Sequence, residues 1–140
     1  MRRKRLSKND KYLIAITEES PKDKELILRN MQYNLQILEY IDQDLFKDIE
    51  FVKKVLFLNG MSLEYMPQEI QNNKELVIIA LNNSAGFALK FASEELRADR
   101  EVVKEAVKQW KAPIKYASKE LQEEFNQKLE EYHQKHKRWE

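Results

Sequence analysis

The stretch LKFASEELRADREVVKEAV at residues 89–107 decides the fold, because close variants of it recur along the chain. The units repeat every 25 or 26 residues and begin at Leu13, Leu38, Leu63, Leu89 and Ile114. One acidic position is a glutamate in all four complete units, at Glu25, Glu50, Glu75 and Glu101. Self-similarity at a fixed period of roughly 20–50 residues is typical of stacked-repeat proteins, so the sequence predicts a repeat array.

The second half of each unit has the pattern of an amphipathic helix. Apolar residues fall at i, i+1, i+4 and i+5, as in the pairs Val102–Val103 and Ala106–Val107, which places them on one helix face. Each stripe follows a residue that is favoured as an N-cap, namely Asp23, Asp48, Asn73 and Asp99. These signals predict second helices near residues 24–33, 49–58, 74–83 and 100–109.

The first half of each unit is shorter and has an aromatic residue two positions after its leucine or isoleucine. We expect these rings to be largely buried in successive layers, against Val52, Val77 and Val103; they are Tyr40, Tyr65, Phe91 and Tyr116. A second capping signal predicts a kink or a single helical turn at Thr17, Asp42, Pro67, Ser93 and Ser118. Asn59-Gly60 predicts a left-handed stop for one second helix.

Together these patterns predict an all-α fold of about nine helices. One unit buries too little apolar area to be stable alone, so neighbouring units must stack. We expect a right-handed-type α-solenoid of about four and a half 25-residue helix-turn-helix repeats. Residues 1–11 would form a basic, flexible arm, residues 12–118 the tandem helical repeats, and residues 119–140 a longer C-terminal capping helix.

The stretch at residues 89–108 resembles the repeat of the domain-of-unknown-function family numbered 4116. The resemblance is specific in the third unit and its neighbours, and it weakens before Leu38. It implies a bacterial or protist array of tandem α-helical units. It implies no catalytic residue, because none is established for the family.

Composition narrows the class of function. The net charge is +1, which lacks the basic excess of a dedicated nucleic-acid binder, and there is no cysteine for a disulfide or a Cys-based zinc site. No Gly-rich phosphate loop or recognisable Ser/His/Asp grouping occurs. We therefore expect a non-enzymatic module without cofactor or metal, which binds a protein or peptide. The apolar stretch at residues 12–16 is too short for a signal peptide or membrane span, so we expect a cytoplasmic protein.

Apolar residues at positions that are polar in other units mark a candidate partner patch. They are Phe57 and Leu58 in unit two, and Ile78 and Ile79 in unit three. Such residues either form an exposed patch that receives a partner, or show that the central helices bury more than one face. We call these four residues the apolar patch.

A basic cluster at the N-terminus supports an alternative function. It contains Arg2, Arg3, Lys4, Arg5 and Lys8. Such a cluster would attach the protein electrostatically to nucleic acid or to an anionic membrane. The competing interpretation is a disordered tail that increases solubility.

Two further groups of polar residues have alternative interpretations. An acidic column is either a ladder for basic peptides or cations or a set of helix-capping residues, which we favour; it contains Glu19, Asp44, Glu69, Glu95 and Glu120. His133 and His136, one turn after Glu130, have a spacing that zinc could use. That helix lacks a third strong ligand, so we expect no metal there.

Overall fold

A computed structural model describes residues 5–137, and every regular element in that range is helical. The all-α prediction is confirmed. The α-helices are Lys8–Glu19 (α1), Lys24–Asn30 (α2), Ile49–Leu58 (α3), Gln68–Gln71 (α4), Lys74–Asn82 (α5), Glu94–Arg97 (α6), Arg100–Ala106 (α7) and Lys119–Lys135 (α8). The 3₁₀ helices are Leu35–Glu39 (η1), Gln43–Lys47 (η2), Gly60–Tyr65 (η3), Phe87–Phe91 (η4) and Ala112–Tyr116 (η5). The prediction of about nine helices was too low, because most kinks form short helices of their own.

The second helices α2, α3, α5 and α7 begin where the N-cap residues predict. The side chain of each cap accepts a hydrogen bond from a first-turn amide, at 3.0 Å for Asp23, 3.2 Å for Asp48, 3.1 Å for Asn73 and 2.9 Å for Asp99. Helix α2 ends at Asn30 and not near residue 33, because the carbonyl of Asn30 closes a turn with Tyr33. Helix α7 also ends early, at Ala106, where its last turn tightens.

The first halves of units two to five are 3₁₀ helices, and this geometry keeps the aromatic residues from being fully buried. With three residues per turn, positions i and i+3 lie on one side and position i+2 turns away from it. Leu89 and Ala92 are accordingly buried, whereas Phe91 between them is only half-buried. The same holds for Tyr40, Tyr65 and Tyr116, which are half-buried. These rings are therefore partly buried and not fully enclosed, and Tyr65, Phe91 and Tyr116 pack against the core as predicted.

Successive units contact each other in sequence order along two rows. In one row α2 packs on α3, α3 on α5, and α5 on α7; in the other η1 packs on η3, η3 on η4, and η4 on η5. The core lies between the rows. Its equivalent residues in four successive second helices are fully buried: Ile27, Val52, Val77 and Val103.

The left-handed backbone conformation predicted at Asn59-Gly60 occurs at a different place in the chain. Asn59 is extended, with φ −159°, and its side chain caps η3 through the amide of Met61. Gly60 is required for space, because a Cβ there would lie 1.9 Å from the carbonyl oxygen of Ala80. The residues with positive φ within 5–137 are Ala85 and Gly86, one unit later.

The N-terminal end differs from the other units and corrects two predictions. Helix α1 begins at Lys8 under a capping box of Ser7 and Asp10, so residues 8–11 of the predicted arm are helical. Thr17 lies inside α1 and donates a buried hydrogen bond to the carbonyl of Leu13 at 2.7 Å. It therefore marks no kink.

At the C-terminal end, the start of helix α8 covers the last layer. Leu121 is buried and Phe125 packs against the core. Tyr132 is 57% exposed, so the second half of α8 extends beyond the layer.

Candidate binding surfaces

The apolar patch lies on two neighbouring second helices, and none of its four side chains is fully buried. Phe57 and Leu58, the last residues of α3, are 60% and 52% exposed. Ile78 and Ile79 lie in the middle of α5 and are partly exposed, with Ile79 packed against the edge of the core. Since α3 packs on α5, the patch spans two layers of the array.

The N-terminal basic cluster lies only partly within the described residues. Arg2, Arg3 and Lys4 lie outside them. Arg5 and Lys8 are exposed, and Lys8 is the first residue of α1. The structure thus presents two cations of the predicted cluster at one end of the array.

The acidic column is distributed over separate units, as its spacing indicates. Asp44, Glu69, Glu95 and Glu120 are exposed in the first turns of η2, α4, α6 and α8, where the helix dipole favours negative charge. Glu19 differs, because it ends α1.

The two histidines are exposed at the C-terminal end of α8, His133 in its last turn and His136 as its C-cap. His136 stacks on Tyr132 with ring centroids 4.1 Å apart, and its Nδ1 atom lies 2.7 Å from the carbonyl oxygen of Tyr132. Within residues 5–137 no three His, Asp or Glu side chains are grouped in a way that could hold a metal ion.

A set of ion pairs that the sequence analysis missed connects successive units. The first residue of one second helix pairs with the acid at the N-cap, or the equivalent position, of the next unit. The pairs are Lys24–Asp48, Lys74–Asp99 at 3.0 Å and Arg100–Glu124 at 2.8 Å. We call this set the inter-unit ladder. A cation directly after three of the four N-caps, at the repeat spacing, is the sequence signal that could have revealed it.

The ladder changes the titration of its carboxyl groups. The hydrogen bond from Lys24 is the main reason that the pKa of Asp48 lies below its ordinary value. At the other end, Arg100 holds both carboxylate oxygens of Glu124, through Nε at 2.8 Å and Nη2 at 2.8 Å. This contact lowers the pKa of Glu124 from 4.5 to about 2.

The low pKa of Glu124 predicts that the protein loses stability as the pH falls. The folded-state pKa is below the unfolded value, so the stabilisation is complete above the unfolded value of 4.5 and is lost as the pH falls towards about 2. We expect Glu124→Gln to reduce the loss of stability across this window, measured by urea unfolding at several pH values. The effect should be small and should shrink further in high salt, because the pair is exposed.

The control for this prediction is Glu123→Gln, which removes the neighbouring carboxylate and leaves the Arg100–Glu124 pair intact. It should keep the wild-type pH dependence. An equal change in both variants would mean that the ion pair does not form in solution.

Between residues 5 and 137, no helix is both long and apolar enough to cross a bilayer.

The profile of the family described as Domain of unknown function (DUF4116) matches residues 23–71, 48–86 and 73–122. No curated protein and no solved structure matches the chain. The three matches begin at the N-caps of α2, α3 and α5, so they advance by one structural unit each time. Because they jointly span residues 23–122, the chain belongs to the DUF4116 family, whose function is unknown.

Proposed function

We infer that the chain is a non-enzymatic interaction module, which stacks its units as a right-handed-type α-solenoid and binds a partner protein or peptide in the cytoplasm. The observation that carries this proposal is the apolar patch. Phe57 and Leu58 expose more than half of their surface at positions where the neighbouring unit has Asn82 and Asn83. Exposed apolar side chains on neighbouring helices are typical of a surface that a partner covers.

The order of packing supports the solenoid part of the proposal. Each second helix contacts the second helix of the next unit, which is the packing expected of an extended array with surfaces accessible along its length. Solenoids commonly bind partners on such surfaces, which is an analogy at the level of fold.

A comparison of two surface variants tests the proposal. Phe57→Asp/Leu58→Asp changes the patch, and Tyr33→Asp changes another exposed ring, which is 75% exposed in the first unit. Both should remain folded, with stabilities within about 0.5 kcal/mol per substitution of the wild type. We expect a partner recovered from native lysate by wild-type protein to be lost with the patch variant and kept with Tyr33→Asp. Equal recovery by all three proteins would contradict a role for the patch.

Electrostatic attachment through the basic cluster is the second candidate. Arg5 and Lys8 are exposed, and neither forms an ion pair with another residue in the range 5–137. Such cations are free to contact phosphate groups of nucleic acid or lipid. The test replaces Arg2, Arg3, Lys4 and Arg5 by Gln and leaves the Ser7 cap intact. Loss of salt-sensitive binding to duplex DNA or to phosphatidylserine vesicles would support this candidate, and unchanged binding would remove it.

A further inference from the structure

The inter-unit ladder is interrupted at one place, between units two and three. The first residue of α3 is Ile49, where the other second helices begin with Lys24, Lys74 and Arg100. Its expected partner is also changed, because the next N-cap is Asn73. Asn73 still caps α5 through the amide of Leu76, so helix capping is retained while the charge is lost.

A backbone connection is absent at the same place. We call the boundary between two successive units a gap. At the other three gaps, an amide of one unit donates a hydrogen bond to a carbonyl of the unit before it at 2.9 Å: Asp42 to Pro21, Ser93 to Gln71 and Ser118 to Arg97. The equivalent residue between units two and three is Pro67, which has no N–H to donate. Units two and three are connected at other positions, by the Lys53–Glu75 ion pair one helical turn farther along α3 and by the amide of Gly60, which donates to the carbonyl of Asn83 at 3.0 Å.

An apolar groove lies between units two and three. Its floor is formed by Phe46, Ile70 and Leu76, which are 4%, 4% and 2% exposed, and Ile49 flanks it with 45% of its surface exposed. The groove has a volume of about 560 Å³, which is within the range of natural ligand sites. In the next gap along the array, Gln71 replaces Phe46, so the lining there is mainly polar.

The charges around the groove indicate the chemistry of its occupant. On the rim, Lys47 is paired with Asp44 at 3.0 Å. Glu69 borders both this groove and the next gap, which is also lined by Glu94 and Glu95 and by no cation. None of these three glutamates forms an ion pair with another residue of the described range. The apolar groove therefore opens beside three glutamates that have no ion-pair partner among the described residues.

We propose that this groove binds a basic peptide segment of a partner protein, with one large aliphatic side chain inserted between units two and three. Basic residues next to that side chain contact Glu69, Glu94 and Glu95. The groove is distinct from the apolar patch, since Ile49 begins α3 and Phe57 and Leu58 end it. The proposal therefore does not depend on the function assigned to the apolar patch.

Methyl NMR of isoleucine-labelled protein tests the proposal directly. Ile49 and Ile70 report on the groove, while Ile78 and Ile79 report on the apolar patch. The probe is a short synthetic peptide with one central leucine flanked by lysines. We expect saturable shifts of the Ile49 and Ile70 methyl signals that weaken as salt is added. Replacing the leucine of the peptide by alanine should weaken binding at least about tenfold, and replacing its lysines by aspartates should abolish it.

The matched variant is Ile49→Lys/Asn73→Asp, which introduces the ion pair found at the other gaps. It should abolish binding, with the signal of buried Ile70 confirming that the variant is folded. Glu69→Gln/Glu95→Gln should weaken binding several-fold, and Ile78→Asp should leave it unchanged. Absence of saturable shifts at Ile49 and Ile70, equal binding of the aspartate peptide, or wild-type affinity in Ile49→Lys/Asn73→Asp would overturn the proposal. Shifts confined to Ile78 and Ile79 would overturn it as well, and would assign the peptide to the apolar patch.

Discussion

Gly86→Ala should lower the free energy of unfolding by roughly 3–5 kcal/mol, a large effect for the addition of one methyl group. Two causes act together. Gly86 has φ +85°, which a residue with a Cβ adopts only with strain. The added Cβ would also lie 1.8 Å from the carbonyl oxygen of Ala106, so the buried end of α7 would have to move. Urea unfolding followed by circular dichroism gives the measurement.

The neighbouring residue provides the control for this prediction. Ala85 also has positive φ, at 51°, but it carries a side chain. Ala85→Gly should therefore be neutral or stabilise the protein by up to about 1 kcal/mol. If Gly86→Ala costs less than about 1 kcal/mol, the turn between α5 and η4 does not have this conformation in solution.

Leu89→Ala should cost about 2–5 kcal/mol, whereas Phe91→Ala in the same 3₁₀ helix should cost only about 1 kcal/mol. Leu89 is fully buried, so its truncation removes apolar contacts and leaves a cavity. The Phe91 ring is half-buried, and the Lys90 ammonium lies 5.5 Å from its centroid. The expectation for an enclosed ring was a loss of about 3–5 kcal/mol. A larger loss for Phe91→Ala than for Leu89→Ala would contradict the 3₁₀ register.

The sequence predicted the second helices well, because two local signals agree there. The i, i+1, i+4, i+5 pattern fixes the buried face, and an Asp or Asn cap fixes the first residue. The first halves of the units were predicted less well. The five residues Phe87–Phe91 are too few to distinguish 3₁₀ from α periodicity, and the difference decides whether Phe91 or Ala92 is fully buried.

The candidate sites were predictable to different degrees. Comparison of equivalent positions singled out Phe57 and Leu58, since a departure from the repeat is visible in the sequence alone. The groove was not predicted, because it is recognised only from contacts between residues of different units. The sequence alone does not show the importance of Ile49, Pro67 and Asn73. It becomes visible only when the structure shows the connections at the other gaps, such as the Lys74–Asp99 ion pair and the hydrogen bond from the amide of Ser93.

Distances between spin labels on successive second helices test the stacked arrangement most directly. The chain has no cysteine, so labels can be placed at the exposed equivalent positions Glu25, Glu75 and Glu101. With layers ~8–10 Å apart, the label separation should be roughly 16–20 Å for Glu25→Cys/Glu75→Cys and roughly 24–30 Å for Glu25→Cys/Glu101→Cys. A steady increase with the number of layers is the predicted result. A 25–101 separation equal to or shorter than the 25–75 separation would show a closed bundle and contradict the stacked array.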